Sequence, residues 1–220
     1  DYKKYLIKKY NIDENKIIFF PNWSQNEKKI NYEPTNRSII KIAYLGNIGY
    51  SQNFKFLCQI LSKKKLPNFE FHFYGEGRYK NEFQKIVNQN NIRNVRFDTQ
   101  LEISELINQI NSFDALFLSL SSEYSHTIPA KFQFYLSLGM PIIAIVDGYL
   151  NQLIKNKKIG LASNVNDFNE FENNLSNFSK LSFNDKKNIA ENAYQLYQSN
   201  FTKNIAVDKF YNIVNEKNSC

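Results

Sequence analysis

Apolar and polar positions follow two rhythms along this chain. Short apolar runs read as strands: "IIKIAYLG" (Ile39–Gly46), "FEFHFYGEG" (Phe69–Gly77), "NVRF" (Asn94–Phe97), "DALFLSL" (Asp114–Leu120), "PIIAIV" (Pro141–Val146) and "IGLAS" (Ile159–Ser163). Between them lie stretches at helical spacing, near residues 53–64, 79–89, 103–110 and 149–155. Further helical segments near 166–178, 184–199 and 202–216 close the chain. An earlier run, "KIIFF" (Lys16–Phe20), reads as a strand ended by "PNW", and the polar segment from there to Arg37 reads as a linker. Strands spaced by helices of ten or more residues make βαβ units, hence an α/β fold: a doubly wound parallel sheet covered on both faces, with helices at the C-terminus.

One helical stretch departs from the rest. In "SHTIPAKFQFYLSLGMPII" (Ser125–Ile143) the apolar residues Phe132, Phe134, Tyr135, Leu136 and Leu138 leave little room for a solvated face. Pro129 suits the first helical position, Gly139 the residue just past the end, and Pro141 forbids continuation. The polar exceptions are Lys131, Gln133 and Ser137. A cation in the first turn opposes the helix dipole, so Lys131 either answers a bound anion or snorkels to water along its stem.

Ligands of such sheets sit beyond the carboxyl ends of the strands, and the unusual loops converge there: "GNIGYSQN", "GEGR", "DTQLE" and "SSEYSHTI". Gly46 and Gly49 would let backbone N–H groups approach a phosphate, or would serve a plain tight turn; Gly75 and Gly77 are weaker signals of the same kind. The dinucleotide fingerprint is incomplete, because it needs a third glycine and an immediate helix. His126 lies in the loop before the apolar helix, whereas His72 alternates within a strand and reads as structural.

Composition narrows the function classes. The chain has 220 residues, 42% hydrophobic and 15% aromatic, ample for a core. Its formal net charge of +7 favours anionic partners, but no basic stripe interleaved with aromatics marks a nucleic-acid surface. Two histidines and two distant cysteines leave no metal cluster; Cys58 reads as a core thiol and Cys220 is the last residue. That cysteine usage fits a reducing cytoplasm. No apolar run reaches the ~18 residues of a membrane span. The chain opens at Asp1, without methionine and already in helical pattern, which reads as a cut from a longer polypeptide.

With its loops in this order, the chain resembles the C-terminal half of a GT-B glycosyltransferase of the group 1, or family 4, kind. "IIFFPNW", "IAYLGNIGYSQNF", "FHFYGEG", "NVRFDTQLE", "FDALFLSL" and "TIPAKFQFYLSLGMPIIA" carry the likeness, from about Ile17 to Gly160. The resemblance implies an interdomain segment (1–37), a Rossmann-like nucleotide-sugar-binding domain (38–200) and a C-terminal crossover helix (201–220), with the N-terminal acceptor domain absent. It implies retaining, metal-independent transfer without a cofactor, from a nucleotide diphosphate sugar such as a UDP-sugar to a saccharide or lipid-linked acceptor. The half alone would be inactive. Such enzymes meet lipid-linked acceptors at the inner membrane face, so a cytoplasmic protein with at most weak peripheral membrane contact is expected.

Carried onto this sequence, Lys131 and His126 become the catalytic candidates. Gly46, Asn47 and Gly49 would contribute loop amides, Gln52, Gly75 and Gly77 would join them in binding the donor, Thr99, Gln100 and Leu101 would border the base, and His126, Thr127 and Ile128 would face the sugar. The departures are specific. Many members carry two glutamates eight residues apart, at positions that are His126 and Phe134 here; the neighbouring Gln133 could replace the second in part. Their usual diphosphate-binding arginine and lysine are Asn47 and Asn53 in this chain, which leaves Lys131 as the countercharge. Two alternatives follow: a non-catalytic nucleotide-sugar-binding domain, and a GT-B sugar-nucleotide epimerase.

Overall fold

The computed structural model describes residues 2–20, 22–26, 28–35, 37–63, 66, 68–98 and 103–218. Six strands, β1 (Ile40–Leu45), β2 (Phe69–Tyr74), β3 (Val95–Asp98), β4 (Ala115–Ser119), β5 (Ile142–Ile145) and β6 (Gly160–Ser163), form one sheet in the order β3-β2-β1-β4-β5-β6. Every pairing is parallel. The helices are α1 (Tyr2–Tyr10), α2 (Phe54–Lys63), α3 (Lys80–Gln89), α4 (Ile103–Ile110), α5 (Ala130–Leu138), α6 (Gly148–Asn156), α7 (Phe168–Lys180), α8 (Phe183–Asn200) and α9 (Lys203–Asn218). Strand order reverses between β1 and β4, which leaves a crevice above their carboxyl ends.

The two-residue period of the strands sorts their side chains into two cores. Ile42, Tyr44, Phe71, Phe73, Phe117, Ile143 and Ile145 face α2, α3 and α7. Ala43, Leu45, Leu116, Leu118, Ile142 and Ala144 face α5, α6 and α8. Sheet residues buried on both faces explain why these strands read as continuous apolar runs. Helix starts follow their sequence signals: Ser182 accepts from Asp185 N–H at 3.1 Å, and Asp167 from Glu170 N–H at 2.9 Å. Cys58 is a buried thiol whose pKa burial pushes up to about 12. Cys220 lies outside the described residues. Among those described, no helix is long and apolar enough to cross a membrane.

Three local expectations need correction. Residues 16–20 form no strand: a 3-10 turn at Glu14–Lys16 leads into extended chain, and Ile18, Phe19 and Phe20 stay exposed. An apolar, β-prone run needs a neighbouring strand, and among the described residues none lies beside this one. The polar stretch before Arg37 is also no free linker. Ile30 and Tyr32 enter the core, Ile30 N–H donates to Leu138 O (3.0 Å), and Asp114 accepts from Thr35 Oγ1 (2.8 Å) and Lys41 N–H (2.9 Å). Finally, Pro129 caps α5 rather than opening it, with extended dihedrals. A proline there leaves one less N–H to satisfy at the helix end.

Candidate functional site

The crevice begins at the end of β1. The two glycine loops do not stand open; they continue the parallel pairing of β1 and β2 past the last strand residues. Gly46 N–H donates to Tyr74 O (2.9 Å), Ile48 N–H to Glu76 O (2.8 Å) and Tyr79 N–H to Ile48 O (3.0 Å). A Cβ on Gly75 would stand 2.0 Å from Gly46 O, and one on Gly77 2.2 Å from Ile48 O. Glycine is therefore required where the two backbones touch. Gln52 accepts the Gly49 N–H at 2.9 Å, closing the turn at Tyr50–Gln52. The expected cradle of loop amides is thus engaged within the protein at Gly46 and Gly49, which leaves the Asn47 N–H, while the Asn47 carbonyl accepts from the Tyr44 hydroxyl at 2.5 Å. Asn53 adopts φ +50, a conformation asparagine tolerates better than a lysine would.

Beneath this loop lies Lys131. Helix α5 is buried nearly all round, and its first turn directs the lysine toward β1. Nζ stands 3.4 Å from the centre of the Tyr44 ring and meets no hydrogen-bond acceptor. A Cβ on Gly46 would lie 3.3 Å from Lys131 Cε and 3.6 Å from Nζ. The residue as a whole is half-buried while the nitrogen itself is shielded, so the charged tip does not snorkel to water. Burial drives the pKa well below the ordinary lysine value, with no charged neighbour to offset it. An unpaired buried amine is costly, and an anion is the partner that would relieve it.

Tyr135, one turn further along α5, ties the helix to the strand: its hydroxyl accepts the Leu45 N–H at 2.8 Å. Burial holds that phenol neutral, well above its usual pKa. Tyr135→Phe leaves a buried N–H unsatisfied and should cost about 1–2 kcal/mol. A urea midpoint unchanged from the parent would show that the bond contributes nothing.

The other side of α5 faces a cleft of about 690 Å³, lined in part by His126, Thr127, Ile128 and Gln133 together with Tyr2, Phe19 and Tyr149. His126 stacks on Tyr5 at 4.2 Å and on Tyr2 at 5.2 Å, both at 8°. Thr127 turns its hydroxyl back to Tyr124 O (2.8 Å). Gln133, only 2% exposed, sits with its amide 2.7 Å from Pro129 O and 3.1 Å from Ala130 O, and the orientation that turns its nitrogen toward them lets it donate to both carbonyls. Asp147 anchors the loop before α5, accepting from Ser122 Oγ (2.6 Å) and Val165 N–H (2.8 Å).

The expected site residues therefore fall into two groups meeting at the start of α5. Gly46, Asn47, Gly49, Gln52, Gly75, Gly77 and Lys131 belong to the β1–β2 side, and His126, Thr127, Ile128 and Gln133 to the cleft side. Thr99, Gln100 and Leu101 lie outside the described residues. Tyr44, Asp147 and the stacked Tyr2 and Tyr5 are not read as site residues from the sequence, and Tyr135 is read there as an apolar residue of the helix rather than as its tie to β1. Tyr135 carries a signal there, as the tyrosine within "TIPAKFQFYLSLGMPIIA", whereas Tyr44 has at most its polar tip in an otherwise aliphatic strand end. His72 is bridged by Asp98 and Glu70 at 3.0 Å each, away from the crevice, as its structural reading expected. Among the described residues, no group of three His, Cys, Asp or Glu side chains could hold a metal ion.

The family described as "Glycosyl transferases group 1" matches residues 25–196, which include both loops and all of α5. The chain belongs to the group 1 glycosyltransferases. No curated protein matches it significantly in sequence. Among solved structures it is similar to a variant of S. aureus TarM in complex with fondaparinux, alpha-GlcNAc-glycerol and UDP, at 13% identity and TM-score 0.75, over 96% of this chain and 41% of that one. A glycosyltransferase from Rickettsia africae matches at 20% identity and TM-score 0.75, over 98% and 61%. The lipopolysaccharide outer core galactosyltransferase WaaB matches at 18% and 0.74, over 97% and 59%. This group 1 chain thus spans about two fifths to three fifths of those proteins' length.

Proposed function

We propose that this chain is the donor-binding half of a glycosyltransferase that takes a sugar from a nucleotide diphosphate sugar, most simply a UDP-sugar. The observation that carries the reading is the unpartnered, buried Lys131 nitrogen beside Gly46 at the strand-order reversal. A diphosphate seated at the first turn of α5 meets the positive end of the helix dipole and gives Lys131 its missing partner. Both stabilise the charge that grows on the leaving diphosphate as the glycosidic bond breaks. His126, Thr127 and Ile128 border the sugar, and transfer proceeds with retention and without a metal ion. The TarM complex supports the choice of nucleotide, since its description names UDP.

The acceptor, a saccharide or a lipid-linked saccharide, is bound by the other half of the family's architecture. Exposed Ile18, Phe19, Phe20, Phe210 and Tyr211 offer that half an apolar seat. The place of action is the cytoplasm, with contact at the inner membrane face no stronger than charge attraction.

Calorimetry tests the donor site: UDP and a UDP-sugar should bind, and uridine should bind more weakly because it lacks the phosphates. Equal affinity for uridine and UDP would remove the diphosphate from the reading. Transferase assays should give no multiple turnover from this chain alone, because half a cleft cannot orient two substrates. A second reading has its own observation: His126 and Phe134 stand where many family members carry glutamates. If full-length protein binds UDP-sugar yet forms no product with any acceptor, the domain is a binding module.

A further inference from the structure

We propose that Tyr44 is a positioning residue for the donor diphosphate, acting through Lys131; the inference rests on the reading of Lys131 as countercharge. The ring face of Tyr44 lies 3.4 Å from Nζ, and it is the polar-edged surface that meets a nitrogen otherwise without partner. A cation over a desolvated aromatic face is attracted by the ring quadrupole. That attraction holds the ammonium without neutralising it, as a carboxylate would, so its charge stays available to phosphate. The ring is itself fixed. Its hydroxyl donates to Asn47 O at 2.5 Å, and Phe54 packs against it edge-on at 4.9 Å. One side chain therefore sets the lysine below and the loop above.

The surroundings of Lys131 make this role readable by pH. Among the described residues, Tyr44 on β1 faces it directly and Tyr135 follows one turn along α5, both held neutral by burial. Glu76 on the adjoining loop is paired with Lys80. UDP binds best to the protonated lysine. On the acid side Lys131 is charged before and after UDP arrives, so the ring's attraction cancels from the affinity. On the alkaline side only the UDP complex holds the proton, and the attraction then appears in full.

The test is the ratio of UDP dissociation constants, variant over parent, measured by calorimetry from acid to alkaline pH; the titration of UDP itself cancels in this ratio. For Tyr44→Leu it should be lowest in acid, where only the lost hold on the loop counts, and climb from there by roughly 3- to 30-fold in alkali, the span of a cation–π contact. For Tyr44→Phe, which keeps the ring, the ratio should not vary with pH. A Tyr44→Leu ratio that is the same at every pH reports only a packing defect and overturns the proposal. Lys131→Met separates the two claims. If it leaves UDP affinity unchanged, the countercharge reading fails and this one with it. If it weakens UDP while the Tyr44→Leu ratio stays flat, only the role of Tyr44 falls. Should the leucine variant be too unstable to titrate, 3,4,5-trifluorophenylalanine at position 44 keeps the ring shape and drains its face of charge, with the same rise expected.

Discussion

Replacing Lys131 by methionine is expected to stabilise the protein and to weaken its hold on UDP at the same time. The nitrogen is buried without a hydrogen-bond partner, and removing such a group recovers about 1–3 kcal/mol. Methionine keeps the length of the stem against the neighbouring apolar groups. The gain should depend on pH, with a definite sign. Burial lowers the lysine pKa in the folded state, so the unfolded chain binds the proton more tightly. The parent therefore gains stability as pH rises from the folded pKa toward the ordinary 10.5, and its deficit against the variant closes over that window. Binding moves the other way: loss of a charged hydrogen bond should cost about 1.5–3 kcal/mol of UDP affinity. Thermal melts across pH and calorimetry on the same protein decide both. A variant that melts lower at neutral pH and binds UDP as tightly as the parent would sink the account of this lysine.

Gly75→Ala is expected to damage the fold severely. The added Cβ would come 2.0 Å from Gly46 O, a backbone atom that cannot swing aside. The loops must separate, losing the bonds from Gly46 N–H to Tyr74 O and from Ile48 N–H to Glu76 O. A loss of about 2–4 kcal/mol is expected, together with UDP binding, since the loop roofs Lys131. Gly46→Ala should be milder in packing, because its Cβ meets the movable end of Lys131 at 3.3 Å. Its φ of +116 still strains any L residue by about 1–3 kcal/mol. Equal urea midpoints for the parent and Gly75→Ala would show that the loops are not locked together.

These two positions also show what the sequence made legible. The apolar runs and helical spacings placed the sheet strands, because a parallel sheet covered on both faces requires them. "KIIFF" looked the same by composition, but pairing is a property of the neighbour, and residues 16–20 have none among the described residues. Glycine spacing marked the right loops, though for a different task. Gly75 lets one backbone reach another, and a sequence does not say where an N–H points. Lys131 stood out because a charge in an apolar helix is rare. Tyr44 did not, since a tyrosine among aliphatic residues reads as core until the nitrogen above its ring is seen.

Helix α5 is anchored through its C-terminal half. Tyr135 holds Leu45 N–H, and at the close Ser137 Oγ meets Ser24 Oγ at 3.2 Å and Asn26 Nδ2 at 3.0 Å, while Leu138 O takes Ile30 N–H. A bar pinned this way has almost no freedom to slide along its own axis. Any motion of the chain just before Ser24 relative to the sheet would be a swing about that pin. Trp23, the single tryptophan, sits beside the pivot, so its emission offers a built-in gauge of the angle.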